Sequence, residues 1–203
     1  MMKNATEKEK HSECKTARKR APRNPSARRQ QIISAAADLI AQEGSHKITN
    51  RSVAERAGVP LGSTTQYFKS VDDLRRAGLI ELSARIEAEY DEAFHVMEHE
   101  EDVCASISNA ICDYISDPER MRADATLYAT AIEDPAVRDI AKRNYDRFVD
   151  RCKPYMDLKR AKILFAFVEG ALIDSCVMGH PYERELIQEA VALILDTPLD
   201  PAV

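Results

Sequence analysis

Residues 48–74 read ITNRSVAERAGVPLGSTTQYFKSVDDL, and this stretch decides the fold. Thr49 predicts the start of a short helix over about residues 50–57, because a threonine side chain can accept a hydrogen bond from a free N–H group of the first turn. Gly58 ends that helix, since glycine readily adopts the positive φ that a tight turn between crossing helices needs. A second short helix follows over about residues 61–68. Two short helices joined in this way are typical of a helix-turn-helix.

The second short helix carries side chains suited to reading DNA bases. Val53, Val59 and Phe68 supply a small apolar core, and the small side chains of Ala54 and Ala57 allow the two helices to approach. The residues left exposed on the second helix are Leu61, Gly62, Ser63, Thr65, Gln66 and Tyr67. Short polar groups and a threonine methyl can contact base edges in a major groove. The alternative is a helical hairpin that only packs and whose polar side chains are solvated.

The flanking sequence extends this unit into an all-helical protein. Upstream, Asn24-Pro25 or Ser26 predicts the start of a helix that ends at Gly44. Downstream, Ser70 and Asp73 form a capping box for a long helix from residue 71 to about 98. We therefore divide the chain into a disordered basic tail (1–23), a three-helix helix-turn-helix domain (24–70) and a larger helical domain (71–203).

The larger domain is a succession of helices separated by caps. Asp117-Pro118 and Asp134-Pro135 each combine an N-cap residue with a proline suited to the first turn. The predicted helices cover about 101–116, 118–133, 135–156, 158–179 and 181–195, which makes about nine in all. No alternation typical of strands is present in the sequence.

The charge of the chain is divided unevenly. The formal net charge is −5, but residues 1–77 contain sixteen basic and eight acidic residues, whereas residues 78–203 contain thirteen and twenty-six. Such a division indicates that the basic half contacts a polyanion. The sequence has no apolar run long enough to span a membrane and no apolar stretch of a signal peptide, so we expect a cytoplasmic protein with no membrane partner.

These residues resemble the TetR family of one-component transcriptional regulators. The resemblance rests on the Thr49 cap, the V-A-x-x-A-G-V pattern of residues 53–59 and the G-S-T-T-Q-Y-F-K-S run of residues 62–70, and it covers about residues 27–80. It implies a homodimeric repressor that leaves a palindromic double-stranded DNA operator when a small-molecule effector binds. The DNA-contacting set that we predict is Thr49, Asn50, Arg51, Leu61, Gly62, Ser63, Thr65, Gln66, Tyr67 and Lys69.

The resemblance implies separate roles within this set. Thr49, Tyr67 and Lys69 match phosphate-contacting positions, Arg51 matches a base or phosphate contact, and Thr65 with Gln66 match positions that read sequence. Leu61, Thr65 and Val71 depart from the commonest family pattern, and Val71 removes a phosphate contact. We hypothesise that the basic tail compensates for it through Arg18, Lys19, Arg20 and Arg23.

An effector cavity is expected between the long linking helix and the helices that follow it. The candidates are Tyr90, Phe94, Ile107, Ile111, Tyr114, Tyr128, Tyr145, Phe148, Phe165 and Glu169. Glu133, Glu169 and Asp174, together with the tyrosines, would suit a flat, polar or cationic ligand. The alternatives are that the aromatic residues are ordinary core and that the acidic residues form a solvated surface.

The two C-terminal helices are the expected dimer interface. The interface residues that we predict are Ile163, Phe167, Gly170, Ala171, Asp174, Met178, Leu186, Ala190 and Leu193. In the family, such a pair forms a four-helix interface with its symmetry mate. The alternative is that these helices form only the core of the monomer.

Rival functions receive little support from the residues. Glu92, His95 and His99 share one helix face, but this spacing alone is a weak metal signature, so we predict no metal and no cofactor. No Gly-rich phosphate loop, G-x-S-x-G or H-E-x-x-H motif is present, so we predict no catalysis. A DNA-binding architectural protein without an effector stays open as an alternative.

Overall fold

The computed structural model describes residues 24–99 and 101–196, and all regular structure in these ranges is helical. The elements, with one short 3₁₀ turn at Ser45–Lys47, are α1 (Pro25–Glu43), α2 (Asn50–Arg56), α3 (Leu61–Tyr67), α4 (Val71–Met97), α5 (Val103–Ile115), α6 (Pro118–Glu133), α7 (Pro135–Cys152), α8 (Leu158–Met178) and α9 (Arg184–Asp196). The predicted all-α class is confirmed. None of the described helices is both long and apolar enough to cross a membrane.

Local capping explains where most helices begin. Asn24, Asp117, Asp134 and Asp157 each accept a hydrogen bond from a backbone N–H of the first turn, as the sequence predicts. Ser70 caps α4 in the same way, its hydroxyl oxygen accepting from the N–H of Asp73 at 3.0 Å.

Three helix boundaries differ from those that the sequence predicts. Helix α5 begins at Val103, because Asp102 rather than an earlier residue caps it. Helix α7 ends at Cys152 instead of about residue 156, since Pro154 has no N–H to continue the hydrogen-bond ladder. Helix α9 begins at Arg184 instead of Pro181. The intervening segment is held against α8, where the Tyr182 hydroxyl donates to Asp174 Oδ2 at 2.7 Å.

Helix α4 joins the helix-turn-helix to the rest of the molecule, and Gly78 sets how closely α1 packs on it. A Cβ at Gly78 would lie 2.8 Å from Ile40 Cδ1 and 3.2 Å from the backbone carbonyl carbon of Ala36. Arg85 of α4 adds an ion pair with Asp38 of α1 at 2.7 Å. Helices α1 and α4 are therefore in nearly direct contact.

Helix α6 packs against both parts of the chain. It contacts α1 on one side and α4, α7 and α8 on the other, and its buried residues include Met121, Asp124 and Leu127. The proposed division at residues 70/71 stays a prediction, and the predicted basic tail, residues 1–23, lies outside the described residues.

Candidate nucleic-acid interface and ligand cavity

The turn between α2 and α3 has the geometry that the sequence predicts. Gly58 has a φ of 62°, which favours glycine over residues with a side chain. The Val59 N–H donates to the Ala54 carbonyl at 3.0 Å and the Gly58 N–H donates to the Glu55 carbonyl at 3.1 Å. These two bonds form a Schellman motif, which satisfies the last carbonyls of α2 and redirects the chain into α3.

Helix α3 presents most of the residues predicted to read DNA. Leu61, Gly62, Thr65 and Gln66 are exposed, and Ser63 and Tyr67 are half-buried. The buried side of the helix is formed by Thr64, whose hydroxyl donates to the Leu61 carbonyl at 2.8 Å. Because the helix has a distinct buried side, the opposite, polar side faces outward.

The predicted DNA-contacting residues outside α3 differ in how exposed their side chains are and in the bonds that they already form. Thr49 caps α2 and its Oγ1 accepts from the Ser52 N–H at 3.0 Å, so that its hydroxyl is partly committed. Arg51 is exposed and pairs with Glu55 at 3.0 Å. Lys69 is exposed. Asn50 is half-buried, and its side-chain oxygen is buried without a hydrogen-bond partner among the described residues. Its oxygen is therefore not presented to a ligand.

A narrow cavity of about 60 Å³ lies between α4, α5, α7 and α8. Six of the predicted pocket residues line it, namely Tyr90, Phe94, Ile107, Ile111, Tyr114 and Phe148. Its other lining residues are Ala93, Met97, Ala110, Cys152, Met156, Leu164 and Val168. The lining consists almost entirely of aromatic and aliphatic side chains, which suits a flat apolar ligand.

Tyr128, Tyr145 and Phe165 line a neighbouring groove instead. The Phe165 ring connects the two spaces, since its centroid lies 4.9 Å from that of Tyr145 and 5.2 Å from that of Phe148. The predicted aromatic residues therefore form one continuous cluster beside two openings.

Asp124 is the important residue that the sequence analysis missed. It is fully buried on α6, and its Oδ2 accepts hydrogen bonds from the hydroxyls of Tyr90 at 3.0 Å and Tyr114 at 2.8 Å. Burial raises the pKa of Asp124 to about 6, although the bonds from Tyr114 and Tyr90 act in the opposite direction. A signal existed in the sequence, because Asp124 occupies the apolar stripe of α6 between Met121 and Leu127.

Glu169 lies close enough to Asp124 for the two carboxyl groups to interact. Burial, and then the charge of Asp124, raise the pKa of Glu169 to about 9. Of the other two acidic residues considered for the cavity, Glu133 is exposed and Asp174 is engaged by Tyr182. Asp124 is therefore fully buried, Glu169 and Asp174 are half-buried, and only Glu133 is exposed.

A second, polar groove of about 380 Å³ opens between α4 and α5. Its acidic lining residues are Glu89, Glu92, Asp102 and Asp113, and Arg120 is its one basic lining residue. Arg120 pairs with Glu89 at 3.2 Å and with Asp117 at 3.3 Å. This groove shares Ala93, Ala110 and Tyr114 with the apolar cavity, so that these side chains lie between the two spaces.

His95 of α4 and His99, just after the helix, show no metal-binding arrangement. The ring centroids of His95 and His99 lie 5.2 Å apart, and His95 Nδ1 is 3.6 Å from a carboxylate oxygen of Glu98. Within residues 24–99 and 101–196, no three His, Cys, Asp or Glu side chains are grouped so as to hold a metal ion.

Most of the predicted dimer residues lie on one outer face of α8 and α9. Ile163, Gly170, Met178, Leu186 and Leu193 are exposed, and Phe167, Asp174 and Ala190 are half-buried. Ala171 is the exception, since it is 3% exposed and packs inside its own chain. Two large apolar residues that the prediction omitted, Ile173 and Val177, are exposed as well.

A helix-turn-helix linked by one long helix to a helical domain with a lipophilic cavity defines a DNA-binding regulator that responds to a ligand. The chain belongs to the TetR family and is a ligand-responsive, DNA-binding transcriptional repressor. Residues 32–77 match the model of bacterial regulatory proteins of the tetR family, and residues 98–197 match a tetracyclin repressor-like C-terminal domain.

The chain is also similar to individual proteins of known structure or curated sequence. A TetR-family member from Streptomyces coelicolor A3 is 27% identical, with a TM-score of 0.72 over 84% of this chain and 99% of that one. The multidrug binding protein EbrR complexed with ethidium is 27% identical, with a TM-score of 0.71 and the same coverage. The transcriptional regulator BetI of Escherichia coli is 21% identical over 79% of this chain and 88% of its own length.

Proposed function

We propose that this protein works as a homodimer that binds a palindromic operator through α3 and leaves it when an effector fills the cavity between α4, α5, α7 and α8. The DNA contacts are the exposed side chains of α3, with Arg51 and Lys69 beside them. Thr65 and Gln66 read bases, because both are exposed and both carry short hydrogen-bonding groups. No catalytic step belongs to this function.

The outer face of α8 and α9 supports the dimer. Several large apolar side chains on these helices are exposed to different degrees: Ile163 45%, Ile173 44%, Val177 75%, Met178 61%, Leu186 46% and Leu193 67%. Exposed apolar side chains that recur along two packed helices are typical of a protein–protein interface. A twofold pairing would present two copies of α3 to one face of DNA, where half-sites are about 34 Å apart.

Helix α6 contacts both the cavity wall and the DNA-binding half. This double contact is the main support for the proposal. At its buried middle, Asp124 is bonded to Tyr90 and Tyr114 of the cavity wall. Six residues further on, the Thr130 hydroxyl lies 3.0 Å from that of Ser45, in the turn that precedes α2. A ligand that displaces the tyrosines therefore acts on a helix that also contacts the DNA-binding half.

The related protein EbrR supports an effector role for the cavity. EbrR has been crystallised with ethidium, with proflavin and with malachite green, at 25–27% identity to this chain. The cavity of the present chain is likewise lined by aromatic and aliphatic side chains, and it would have to widen to receive flat molecules of that kind.

The test is a titration of the purified protein against the DNA flanking its own gene, with scrambled DNA as the control, at two salt concentrations. We expect tight binding to one short palindromic stretch and weaker, strongly salt-dependent binding to the scrambled DNA. The double variant Thr65→Ala, Gln66→Ala should lose about tenfold or more of the affinity for the palindrome and little of the affinity for scrambled DNA.

The matched control is the double variant Asp139→Ala, Arg143→Ala, which removes two exposed polar side chains from α7 and leaves the net charge unchanged. It should bind both DNAs as the unmodified protein does. Equal binding of the two DNAs by the unmodified protein would instead support the architectural alternative, and a palindrome affinity unaffected in the α3 double variant would refute the assignment of the reading residues.

A further inference from the structure

Two buried carboxyl groups beside the cavity have oxygen atoms without hydrogen-bond donors. Oδ1 of Asp124 and Oε1 of Glu169 are both buried, and neither has a hydrogen-bond partner in the described part of the chain. A buried carboxylate oxygen without a donor is unfavourable, and natural proteins rarely retain one without a functional reason. This pair is therefore a place where a ligand can supply what the protein does not.

The surroundings of the pair contain acidic groups and no cation. The groups whose charges or hydrogen bonds act on Asp124 are Tyr114 of α5, Tyr90 and Glu89 of α4, and Glu169 of α8. No ion pair to Asp124 or Glu169 is formed within the described residues. At neutral pH Asp124 is the ionised member of the pair, because the pKa of Glu169 is raised to about 9, and no ion pair within the described residues offsets its charge.

Aromatic rings stand between these carboxyl groups and the cavity. Tyr90 and Tyr114 line the cavity and donate their hydroxyls to Asp124, and their ring centroids are 5.4 Å apart. Phe148 packs edge-on against Tyr90 at 5.8 Å. Aromatic faces attract cations, and the attraction is stronger in a site from which water is excluded. The rings and the carboxyl groups therefore both favour a cationic ligand.

The groove between α4 and α5 is negatively charged and would attract a cation toward the cavity. It is lined by four carboxylates and one arginine, and that arginine is already paired. Clefts lined by one sign of charge raise the local concentration of oppositely charged ligands. Because Ala93, Ala110 and Tyr114 are shared by groove and cavity, the groove leads directly to the cavity wall.

We propose that the effector is a lipophilic aromatic cation, which binds against Tyr90 and Tyr114 with its positive charge opposite Asp124 and Glu169. This inference rests on the proposed function of the cavity as the effector site. A neutral ligand of the same shape would fill the apolar space and leave the charge of Asp124 without a counter-charge.

The test compares a cation with a neutral molecule of similar shape, using the full-length protein. The probes are tetraphenylphosphonium, ethidium and neutral triphenylphosphine oxide, and their affinities are measured by isothermal titration calorimetry. We expect at least one cation to bind about tenfold or more tightly than the neutral probe, since the charge interaction is lost with the neutral molecule.

Isosteric variants locate the charge partner. Asp124→Asn and Glu169→Gln should each weaken cation binding, and together they should remove the preference over the neutral probe. Glu133→Gln is the matched control, because it neutralises an exposed carboxylate elsewhere in the same domain. Thermal unfolding of each variant verifies that it is folded, and since both replacements keep shape and volume, loss of the fold is not expected.

The outcomes separate this inference from the proposed function. Equal affinities for cation and neutral probe, absence of binding by either cation, or a cation preference that persists in the double variant would overturn the cation assignment. Operator release is followed in parallel by fluorescence anisotropy of labelled DNA. A cation that binds through Asp124 and Glu169 without releasing the operator would confirm the site and refute its role as the effector site.

Discussion

The hydroxyls of Ser45 and Thr130 lie 3.0 Å apart and join the turn before α2 to the C-terminal part of α6. Thr130 already donates its own proton to the Thr126 carbonyl at 2.7 Å, so Ser45 is the donor of the shared bond. Arg75 donates to the Ser45 carbonyl at 2.8 Å, and Arg76 pairs with Asp134 at 3.4 Å. The turn before α2 is thus attached to the end of α6 by polar contacts of defined geometry, in addition to the packing of α1 on α6.

Replacement of Thr130 by valine should weaken the coupling between effector and operator. Valine keeps the shape of threonine and removes the acceptor for Ser45, so we expect the coupling free energy to fall by about 0.5–2 kcal/mol with operator affinity nearly unchanged. The measurement is operator affinity with and without saturating effector. Thr126→Val, one turn earlier on α6, is the control and should keep the full effector response; equal responses in all three proteins would show that this contact transmits nothing.

Replacement by alanine should have opposite effects on stability at two glycines of the helix-turn-helix. Gly58 has a φ of 62°, so Gly58→Ala should destabilise the protein by about 1 kcal/mol through backbone strain. Gly62 lies within α3 with open space around it, so Gly62→Ala should stabilise by up to about 1 kcal/mol through helix propensity. Urea denaturation in the absence of DNA measures both. A stable Gly58→Ala variant would mean that the turn is not under conformational constraint.

Asp124→Asn should stabilise the protein at neutral pH. The folded state raises the pKa of Asp124 from an ordinary 3.8 to about 6, so ionisation of this group costs stability above pH 6 and the cost disappears as the pH falls toward 4. Asparagine keeps the acceptor for Tyr90 and Tyr114 and carries no charge. We expect a stability gain of roughly 1–3 kcal/mol at pH 8 that shrinks steadily below pH 6.

The measurement is the difference in unfolding free energy between the variant and the unmodified protein from pH 4.5 to 8. Using the difference removes the contribution of groups common to both. A gain that is independent of pH would show that the pKa of Asp124 is the same in the folded and unfolded states, and would contradict its burial as the cause of a raised pKa.

The acidic groove should govern how fast a cation arrives. Glu92 and Asp113 line the groove and are exposed, so Glu92→Gln with Asp113→Asn should lower the association rate of a cationic effector at low salt and leave the dissociation rate nearly unchanged. The reduction should be several-fold and should vanish at about 0.5 M salt, where charges are screened over short distances. Stopped-flow fluorescence with ethidium measures both rates, and Asp139→Asn on α7 is the control. An unchanged association rate would place the entrance elsewhere.

A glutamate on the outer face of α8 should prevent dimerisation. Val177 is 75% exposed on this face and Ile132 is 76% exposed at the end of α6, so the two positions are matched in exposure. Val177→Glu should yield a monomer in light scattering, and Ile132→Glu should leave the dimer intact, because only the first places a charge in the proposed interface. Dimers in both variants would remove the α8–α9 face from the proposal.

The sequence predicted local features accurately because their causes are local. The starts of α1, α6, α7 and α8 follow from cap residues next to the helices, and the turn at Gly58 follows from its own backbone requirement. The start of α9 was misplaced because it depends on the bond between Tyr182 and Asp174, which only the folded chain brings together.

The candidate site was predicted in its apolar part and missed in its charged part. Tyr90 and Tyr114 could be named from helical spacing, but their common partner Asp124 lies 34 and 10 positions away along the chain. A carboxylate on an apolar stripe is easily taken for an exposed residue when the helices that will cover it are not known. The roles of the α3 side chains at DNA and of the α8–α9 face remain predictions until binding and assembly are measured.

The close packing of α1 on α4 at Gly78 limits how this regulator can change its conformation. Gly78 contributes no side chain between α4 and α1, so α1 packs closely on α4 and has little room to shift independently of it. A rotation that a ligand imposes on α4 is therefore passed to α1, on which α2 packs. The residues that line the cavity can consequently be exchanged for others, and a new ligand accommodated, without any change in the parts that convert its binding into release from DNA.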